Sequence, residues 1–428
     1  KKLLAVIREN EERLTKAIYA DLGKPALEAF GGEIGFVYKE IKYALKNLRS
    51  WMADEHVPTD LAHFPSRSWI QYRPKGVVLI LSPWNYPFNL VFTPVIGAIS
   101  AGNCCVIKPS EEAKHTAKLI EEIISKNFDP GFLCVVQMPG REVIPRLIEA
   151  FHFNHIFFTG SERAGRLVYQ AAAKQLIPVT LELGGKSPAL VLPDADYEMS
   201  AKRIVWGKNL NSGQTCVAPD YAIVPKKDRN KIIEMMIRSI RSFHGDDPLN
   251  SGQLVRIINE EHFDRLVAML DEIEVVHGGR YDRKRLLIEP TIVKGRFGHP
   301  AMDEEVFGPI LPVVGYEDEE EVLEIIRRNP DPLSFYVFTN SKKNQDKWLN
   351  AFRFGNGGVN TALIQVASTS LPFGGVGSSG FGRYHGKYSF ELFSVSQGIS
   401  KTSRWPDIPL RYPPYTSLKT KIARWFFG

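Results

Sequence analysis

Gly-Gln-Thr-Cys at residues 213–216 is the stretch of this sequence best suited to covalent chemistry. The flanking pattern predicts a helix over 196–211 and a strand over 221–225, so Cys216 should lie on the loop that joins them. A cysteine on a loop is accessible to a substrate, and the glycine before it lets the backbone approach a ligand closely. Upstream, Glu182 and two glycines end an apolar run. A nucleophile, a nearby base and a glycine-lined approach are together sufficient for acyl chemistry.

Polar residues also follow two other apolar runs. The side-chain amide of Asn85 could donate to an oxygen that gains charge in a transition state, although an asparagine in a turn braced by two prolines is an equally good interpretation. Lys108 and Glu111 could bind ribose hydroxyls, with the glutamate selecting NAD over NADP. The alternative is a helix start capped by Ser110, and these residues taken alone favour it.

Three glycine-rich or acidic segments are further candidates. Residues 158–165 join a strand to a helix, where N–H groups and the Ser161 hydroxyl could accept a pyrophosphate. The spacing from Gly160 to Gly165 differs from the common dinucleotide fingerprint, so a plain βα turn fits equally well. Residues 302–309, taken alone, are best interpreted as a capped surface turn. In 371–380, a flexible linker is possible, but a phenylalanine there favours a loop over an apolar pocket.

The elements that position these residues follow an α/β pattern. Short apolar runs alternate with helical segments up to residue 181, which predicts a parallel sheet covered on both faces. The alternation starts again after Gly185, which predicts a second α/β domain. Residues 66–73 alternate polar and apolar side chains, as a half-exposed strand does. From residue 401 the chain is rich in proline, basic and aromatic residues and is expected to form an extended arm.

Composition narrows the class of protein. The 428 residues predict two domains, and 44% hydrophobic with 24% charged residues is typical of a soluble globular protein. A net charge of +6 spread along the chain excludes the dense basic surface of a nucleic-acid-binding protein. Four cysteines are too few for a disulfide scaffold, and the absence of Asn-x-Ser/Thr sites favours a reducing, cytoplasmic compartment. His152 and His155 have no partner at metal spacing, so no metal site is predicted.

Taken together and in order, these segments resemble the NAD(P)-dependent aldehyde dehydrogenase superfamily. Within it, the sequence is most similar to class 3, the fatty and aromatic aldehyde dehydrogenases, because of residues 82–89 and the ending at 410–415. The motifs that carry the resemblance are Pro-Trp-Asn-Tyr-Pro (83–87), Lys-Pro-Ser-Glu (108–111), Phe-Thr-Gly-Ser (158–161), Leu-Glu-Leu-Gly-Gly-Lys (181–186), Gly-Gln-Thr-Cys (213–216), Glu-Glu-Val-Phe-Gly-Pro (304–309) and Pro-Phe-Gly-Gly-Val-Gly (372–377).

The resemblance implies a role for each matching residue. The thiolate of Cys216 attacks the aldehyde carbon, and Asn85 with the backbone N–H of Cys216 stabilises the oxyanion. After hydride transfer, Glu182 activates water to hydrolyse the thioester and release the acid. The implied cofactor-binding residues are Lys108 and Glu111 at the adenosine ribose, Gly160, Ser161 and Gly165 at the pyrophosphate, Leu183 and Gly184 beside them, and Glu305 with Phe307 at the nicotinamide ribose. The implied walls of the aldehyde tunnel are Tyr86, Thr215 and Phe373.

The resemblance also implies domains and partners. It predicts a Rossmann-like cofactor-binding domain at 1–182 with 67–73 as a bridging strand, a catalytic domain at 183–385, and a bridging strand and C-terminal arm at 386–428. It implies a homodimer, with the strand at 68–73 and the region 390–400 as its interface. The end of the chain at 423–428 could be the start of a membrane anchor or an amphipathic foot on a membrane, facing the cytoplasm. A soluble arm packed on the partner subunit is the favoured interpretation, because the sequence has no spanning segment.

Coenzyme choice and two rival functions remain open at this point. Residues 89–94 lack the lysine that other classes use near the cofactor, which agrees with class 3, and NAD is expected with NADP also accepted. One rival is an acylating dehydrogenase that passes the thioester to coenzyme A, against which Glu182 argues. The other is an inactive structural or binding homologue, which the complete set of catalytic side chains disfavours.

Overall fold

The computed structural model describes residues 1–427 and, except at positions 62, 426 and 427, their side chains. It contains two large sheets flanked by helices and a smaller antiparallel sheet. The helices are α1 (Lys2–Glu9), α2 (Glu11–Leu22), α3 (Ala26–Ala29), α4 (Gly35–Trp51), α5 (Asn89–Ser100), α6 (Lys114–Asn127), α7 (Gly140–Ala150), α8 (Glu162–Ala173), α9 (Tyr197–Asn209), α10 (Arg229–His244), α11 (Glu260–Ala268), α12 (Pro300–Asp303), α13 (Glu319–Arg327), α14 (Lys342–Leu349), α15 (Gly386–Leu392) and α16 (Ser417–Phe427). The strands are β1 (Glu55–Val57), β2 (Ser66–Pro74), β3 (Val77–Leu81), β4 (Cys104–Lys108), β5 (Leu133–Val135), β6 (His155–Thr159), β7 (Val179–Glu182), β8 (Pro188–Val191), β9 (Tyr221–Pro225), β10 (Val275–His277), β11 (Tyr281–Asp282), β12 (Leu287–Ile288), β13 (Thr291–Lys294), β14 (Ile310–Tyr316), β15 (Ser334–Phe338), β16 (Asn356–Val359), β17 (Gly380–Phe381) and β18 (Ser394–Thr402).

The six-stranded sheet has the order β17-β7-β6-β3-β4-β5 and is parallel except for β17. Helices α5 to α8 connect its parallel strands, so strand and helix alternate as predicted. The chain runs outward from β3 through β4 to β5 and then returns to β6 and β7 on the other side. This reversal leaves a crevice at the carboxyl ends of β3 and β6, where open α/β sheets bind ligands. The predicted Rossmann-like fold is confirmed.

The seven-stranded sheet has the order β10-β13-β14-β9-β8-β15-β16 and is parallel except for β10. One face packs on α9 and α10, the other on α13 and α14. Because both faces are covered, neighbouring residues such as Leu190 and Val191 are equally buried. The second α/β unit is therefore present. The chain re-enters the first sheet at β17, within the range 183–385 predicted as catalytic domain.

The smaller antiparallel sheet has the order β1-β2-β18, and β2 pairs with β18 along nine residues of each strand. The half-exposed strand predicted at 66–73 is present as part of β2. The extended arm expected from residue 401 is wrong in its last part, because the chain ends in helix α16. No helix in the described range is long and apolar enough to cross a membrane.

The N-terminal helices pack on the core that lies under the first sheet. Leu14 and Ile18 of α2 are fully buried, and the helix ends at Gly23, whose φ of 65° is the left-handed conformation expected of a glycine cap. The helix start predicted at Ser110 is wrong. Helix α6 begins at Lys114, and the carboxylate of Asp21 on α2 accepts hydrogen bonds from the first-turn N–H groups of α6.

Candidate active site

A cavity of about 630 Å³ opens at the carboxyl ends of β3, β4, β6 and β7. Asn85, Glu182 and Cys216, the three predicted catalytic residues, all line it. Asn85 follows β3, Glu182 ends β7, and Cys216 belongs to the loop after α9. Three segments distant in sequence therefore converge on one cavity, which lies at the crevice of the parallel sheet.

The loop that presents Cys216 has an unusual backbone. Asn211 (φ 55°), Ser212 (φ 49°) and Gly213 (φ 73°) are consecutive left-handed residues, which turn the chain sharply before the cysteine. A Cβ on Gly213 would lie 2.1 Å from the carbonyl oxygen of Gly308, so only glycine fits there. The turn leaves Cys216 half-buried at the cavity wall.

Burial, with smaller contributions from the carboxylates of Glu305 and Glu182, raises the pKa of the Cys216 thiol to about 12. The thiol is therefore protonated at neutral pH in this environment. A positive charge or a base must act at the cavity to generate the thiolate.

Glu182 is buried, with 2% of its surface exposed, and neither carboxylate oxygen has a hydrogen-bond partner among the described residues. Burial raises the pKa of Glu182 well above its ordinary value, and the guanidinium of Arg383 only partly offsets this. A carboxyl group with a raised pKa that faces a cavity is suited to exchange a proton with a bound water or ligand.

Asn85 is buried, and its side-chain Nδ2 donates to the carbonyl oxygen of Gln214 at 3.0 Å. A side-chain amide has two N–H groups, so one remains for an oxygen on a bound ligand. The residues that follow Asn85 and Gln214 are also paired: the hydroxyl oxygens of Tyr86 and Thr215 are 2.7 Å apart. Two adjacent pairs thus join the loop after β3 to the loop of Cys216.

Lys108 and Glu111 form an ion pair at the far end of the cavity. Oε1 of Glu111 also accepts a hydrogen bond from the backbone N–H of Gly140 at 2.7 Å. Partial burial raises the pKa of Glu111, but the hydrogen bonds from Lys108 and Gly140 outweigh this and lower it below the ordinary value. Glu111 therefore carries a negative charge at neutral pH.

Gly160 and Ser161 line the cavity at the start of α8, whose N-terminal N–H groups can bind a phosphate. The Ser161 hydroxyl also caps the helix, accepting from the Ala164 N–H at 3.4 Å. Gly165 lies behind the wall rather than on it, because a Cβ there would be 2.7 Å from the side chain of Leu183. Its absent side chain lets α8 pack closely on the strand end.

Glu305, Phe307, Leu183 and Gly184 all line the cavity. Glu305 rests directly on Gly184, since a Cβ on that glycine would lie 2.0 Å from Oε2. Burial, and then the charge of Asp220, raise the pKa of Glu305 to about 8.

The sequence did not predict the buried hydrogen bonds that hold the residues on either side of Glu305. Lys186 Nζ donates to Asp220 at 2.6 Å and to the carbonyl of Glu304 at 2.8 Å. Asp220 in turn accepts a hydrogen bond from the N–H of Val306. The sequence feature that could have indicated these hydrogen bonds is Lys186, the last residue of the motif that contains Glu182.

Tyr86, Thr215 and Phe373 do not line the cavity. The first two are joined by their hydroxyls, as described. Phe373 is buried in the apolar cluster against which Cys216 packs, and it stacks on His385 with ring centroids 5.1 Å apart. All three lie close to the cysteine loop without forming the walls of the groove.

The fold and the site are those of a known family. The model of the aldehyde dehydrogenase family matches residues 1–399, and the chain belongs to that family. It is 42% identical to 4,4′-diaponeurosporen-aldehyde dehydrogenase of Staphylococcus aureus over 100% of this chain and 93% of the relative. It is also 42% identical to aldehyde dehydrogenase family 3 member H1 of Arabidopsis thaliana, over 99% of this chain and 88% of the relative. The expected similarity to class 3 is confirmed.

Solved structures agree with this assignment. The substrate-bound state of Staphylococcus aureus AldH superposes with a TM-score of 0.97 at 41% identity, covering 100% of this chain and 93% of that one. PnpE in complex with nicotinamide adenine dinucleotide has a TM-score of 0.86 at 27% identity, covering 95% and 85%. The protein is an NAD(P)-dependent enzyme that oxidises aldehydes to carboxylic acids.

The cavity fits a dinucleotide. A Cβ on Gly160 would be 2.7 Å from the ring of Phe158, so only glycine fits at this turn before α8, where it lines the cavity. Charged side chains, Lys108 with Glu111 and Glu305, also line the cavity and could bind ribose hydroxyls. NAD, or NADP in its place, supplies the hydride acceptor of the reaction.

Proposed function

We propose that Cys216 is the nucleophile of aldehyde oxidation, Asn85 the oxyanion donor and Glu182 the base that activates water. The observation that carries the proposal is that all three line one cavity, although they come from three separate segments. A base at the cavity first takes the thiol proton of Cys216 and releases it to solvent. Attack of the resulting thiolate on the aldehyde carbon gives an alkoxide, which the second N–H of the Asn85 amide and the backbone N–H of Cys216 stabilise. Loss of hydride from that carbon leaves a thioester on the sulfur.

Glu182 then removes a proton from water, the resulting hydroxide attacks the thioester carbonyl, and the acid leaves as the Cys216 thiolate is restored. The lack of a partner on both carboxylate oxygens of Glu182 supports this role, because the carboxyl is free to bind a water. It also favours hydrolysis over transfer to coenzyme A. We assign the adenosine ribose to Lys108 and Glu111, the pyrophosphate to Gly160 and Ser161 with Gly165 shaping the turn, and the nicotinamide ribose to Glu305, with Leu183, Gly184 and Phe307 beside it.

The substrate class we propose is apolar aldehydes, medium- to long-chain aliphatic or aromatic. The apolar cluster that packs against Cys216 supports this, with Phe373 and Tyr384 among its members. The Staphylococcus aureus relative, whose name gives 4,4′-diaponeurosporen-aldehyde, agrees with an apolar substrate. Tyr86, Thr215 and Phe373 lie outside the groove but close to Cys216, and we propose that they contact the bound aldehyde near the sulfur.

An activity panel tests these assignments. NADH or NADPH formation is followed with aldehydes from short aliphatic to long-chain and benzaldehyde type, with and without coenzyme A. The expected result is the highest kcat/KM for the apolar aldehydes, formation of free acid, and no rate increase with coenzyme A. Cys216→Ala abolishes turnover if the cysteine is the nucleophile, and residual turnover near the wild-type rate disproves that role.

We also propose a homodimer and a peripheral membrane contact for the chain, in the cytoplasm. Strand β18 is an edge strand, and unpaired edges of this kind support pairing with a second copy. Helix α16 has basic Lys419 and Lys421 and no acidic residue in its first turn, which supports binding to an anionic membrane surface. Light scattering of the purified chain tests the first proposal, and sedimentation with anionic against neutral vesicles tests the second.

A further inference from the structure

Three buried side chains lie beneath the two catalytic loops and are called here the polar hub: Lys24, Glu33 and Asn211. Their exposed fractions are 1%, 0% and 0%. Lys24 follows α2, Glu33 precedes α4, and Asn211 begins the left-handed turn before Cys216. None of them lines the cavity, so none is assigned contact with substrate or cofactor.

Asn211 joins the two catalytic loops directly. Its Nδ2 donates to the carbonyl oxygens of Asn85 and Gln214, both at 3.0 Å. The same Gln214 carbonyl accepts from the side chain of Asn85. One amide therefore ties the backbone of the proposed oxyanion donor to the residue two positions before the nucleophile.

Lys24 and Glu33 hold the other side of the loop after β3. Lys24 Nζ donates to the Asn85 carbonyl at 3.2 Å and to Oε1 of Glu33 at 2.7 Å. Oε2 of Glu33 accepts from the N–H groups of Phe88 and Asn89, both at 3.0 Å. The ion pair thus fixes the loop at Asn85 and again three and four residues later.

The backbone of Asn211 is in a conformation that few residues other than glycine adopt. Left-handed residues of this kind persist where their surroundings determine them and occur most often at functional sites. Here the surroundings are the two carbonyls and the carboxylate of Glu28, which accepts from the Asn211 N–H at 3.0 Å. An asparagine at this position supplies both the tolerated backbone and the donor between the loops.

We propose that Lys24, Glu33 and Asn211 are positioning residues that set the distance between the Asn85 amide and the Cys216 sulfur. The inference rests on the proposed catalytic roles of Asn85 and Cys216. The physical reason is that an oxyanion donor acts only within hydrogen-bond distance of the developing charge, so a shift of about 1 Å costs about 10²-fold in rate. The hub therefore acts on kcat and leaves the cofactor groove unchanged.

The first test is Asn211→Asp, which keeps size and backbone preference but places an acceptor against two carbonyls. We expect kcat to fall about 10²-fold, with the KM for NAD within about twofold of wild type. The matched control is Asn103→Asp. Asn103 is also fully buried, and its Nδ2 donates to the carbonyls of Ala98 and Phe393, both at 2.9 Å, but it lies before β4 at the opposite end of the sheet. It should lower the melting temperature and leave kcat unchanged.

The second test is the double variant Lys24→Met with Glu33→Gln, which removes both charges so that neither remains unpaired in the interior. We expect about a tenfold lower kcat and an unchanged KM for NAD in protein with wild-type circular dichroism. The proposal is overturned if both hub variants fold and keep kcat within twofold of wild type, or if Asn103→Asp loses as much kcat as Asn211→Asp. If Asn85→Ala or Cys216→Ala retains full activity, the proposed function is wrong rather than the role of the hub.

Discussion

Glu33 and Glu182 are both buried, with 0% and 2% of their surfaces exposed. They differ in their hydrogen-bond partners. Glu33 accepts hydrogen bonds from Lys24 and from two backbone N–H groups. Glu182 accepts none among the described residues. Buried polar groups in native proteins are nearly always paired, so an unpaired one calls for a specific explanation.

This difference separates a carboxylate that stabilises the structure from one that is proposed to take part in the reaction. The partners of Glu33 come from the protein, and the region around it holds the loops in place. Glu182 instead faces the cavity, so its partner must come from water or a ligand. Burial alone therefore does not distinguish the two carboxylates. The lack of a protein partner and the position at the cavity do, and both support the proposed role of Glu182 as the base.

Glu182→Gln gives the largest effect and tests the unpaired side of the comparison. A glutamine cannot take a proton from water, so we expect steady-state turnover to fall by about 10² to 10³-fold while the first burst of NADH persists. In the wild type, turnover should rise with pH as Glu182 loses its proton, because the raised pKa keeps the base neutral at low pH. Stopped-flow absorbance measures both phases. Equal loss of burst and turnover would show that Glu182 acts before hydrolysis.

Glu33→Gln tests the paired side. The substitution leaves the charged amine of Lys24 buried beside an uncharged amide instead of a carboxylate. We therefore expect the free energy of unfolding to fall by about 3–5 kcal/mol. Urea denaturation of the purified variant measures it. The control is Glu317→Gln, which breaks the exposed Lys226–Glu317 pair and should change stability very little. A Glu33→Gln protein as stable as wild type contradicts the framework role.

Glu111 is an intermediate case, paired with Lys108 and yet on the cavity wall. Glu111→Gln removes the charge that opposes a 2′-phosphate, so the ratio of kcat/KM for NADP to that for NAD should rise about tenfold, equivalent to about 1.4 kcal/mol. Steady-state kinetics with both coenzymes measures it. Glu112→Gln, one residue further and exposed, is the control and should leave the ratio unchanged. An unchanged ratio in Glu111→Gln would remove this residue from coenzyme selection.

Only one carboxylate oxygen of Glu40 has a hydrogen-bond partner. Oε2 accepts from the Gly386 N–H at 3.2 Å, and Oε1 has no partner among the described residues. Burial raises its pKa from 4.5 to about 7. A raised carboxyl pKa stabilises the fold fully below pH 4.5, and that stabilisation is lost as pH rises through about 7. Glu40→Gln should therefore raise the melting temperature by a few degrees at pH 8 and not at pH 4, at about 2–4 °C per kcal/mol. Scanning calorimetry at the two pH values checks this, and an equal gain at both would exclude ionisation as the cause.

Local sequence patterns were sufficient to predict the alternating strands and helices and the position of Cys216 on a loop. It failed where a distant residue decides the outcome. The start of α6 lies at Lys114 rather than near Ser110, because Asp21 on α2 caps it. Phe373 was expected on the tunnel wall, and the structure gives only its burial beside the cysteine loop.

The sequence by itself determined the two α/β units and the likeness to aldehyde dehydrogenases, and it singled out Cys216, Glu182 and Asn85 as the residues proposed for catalysis, because short apolar runs and motifs are local properties of the chain. Only the tertiary structure decided that Glu182 lacks a protein partner, that Lys186 and Asp220 hold the loop of Glu305, and that Lys24, Glu33 and Asn211 join the catalytic loops. The physical reason is that hydrogen bonds between residues 34, 86 and 126 positions apart depend on how the chain packs, which no local pattern encodes.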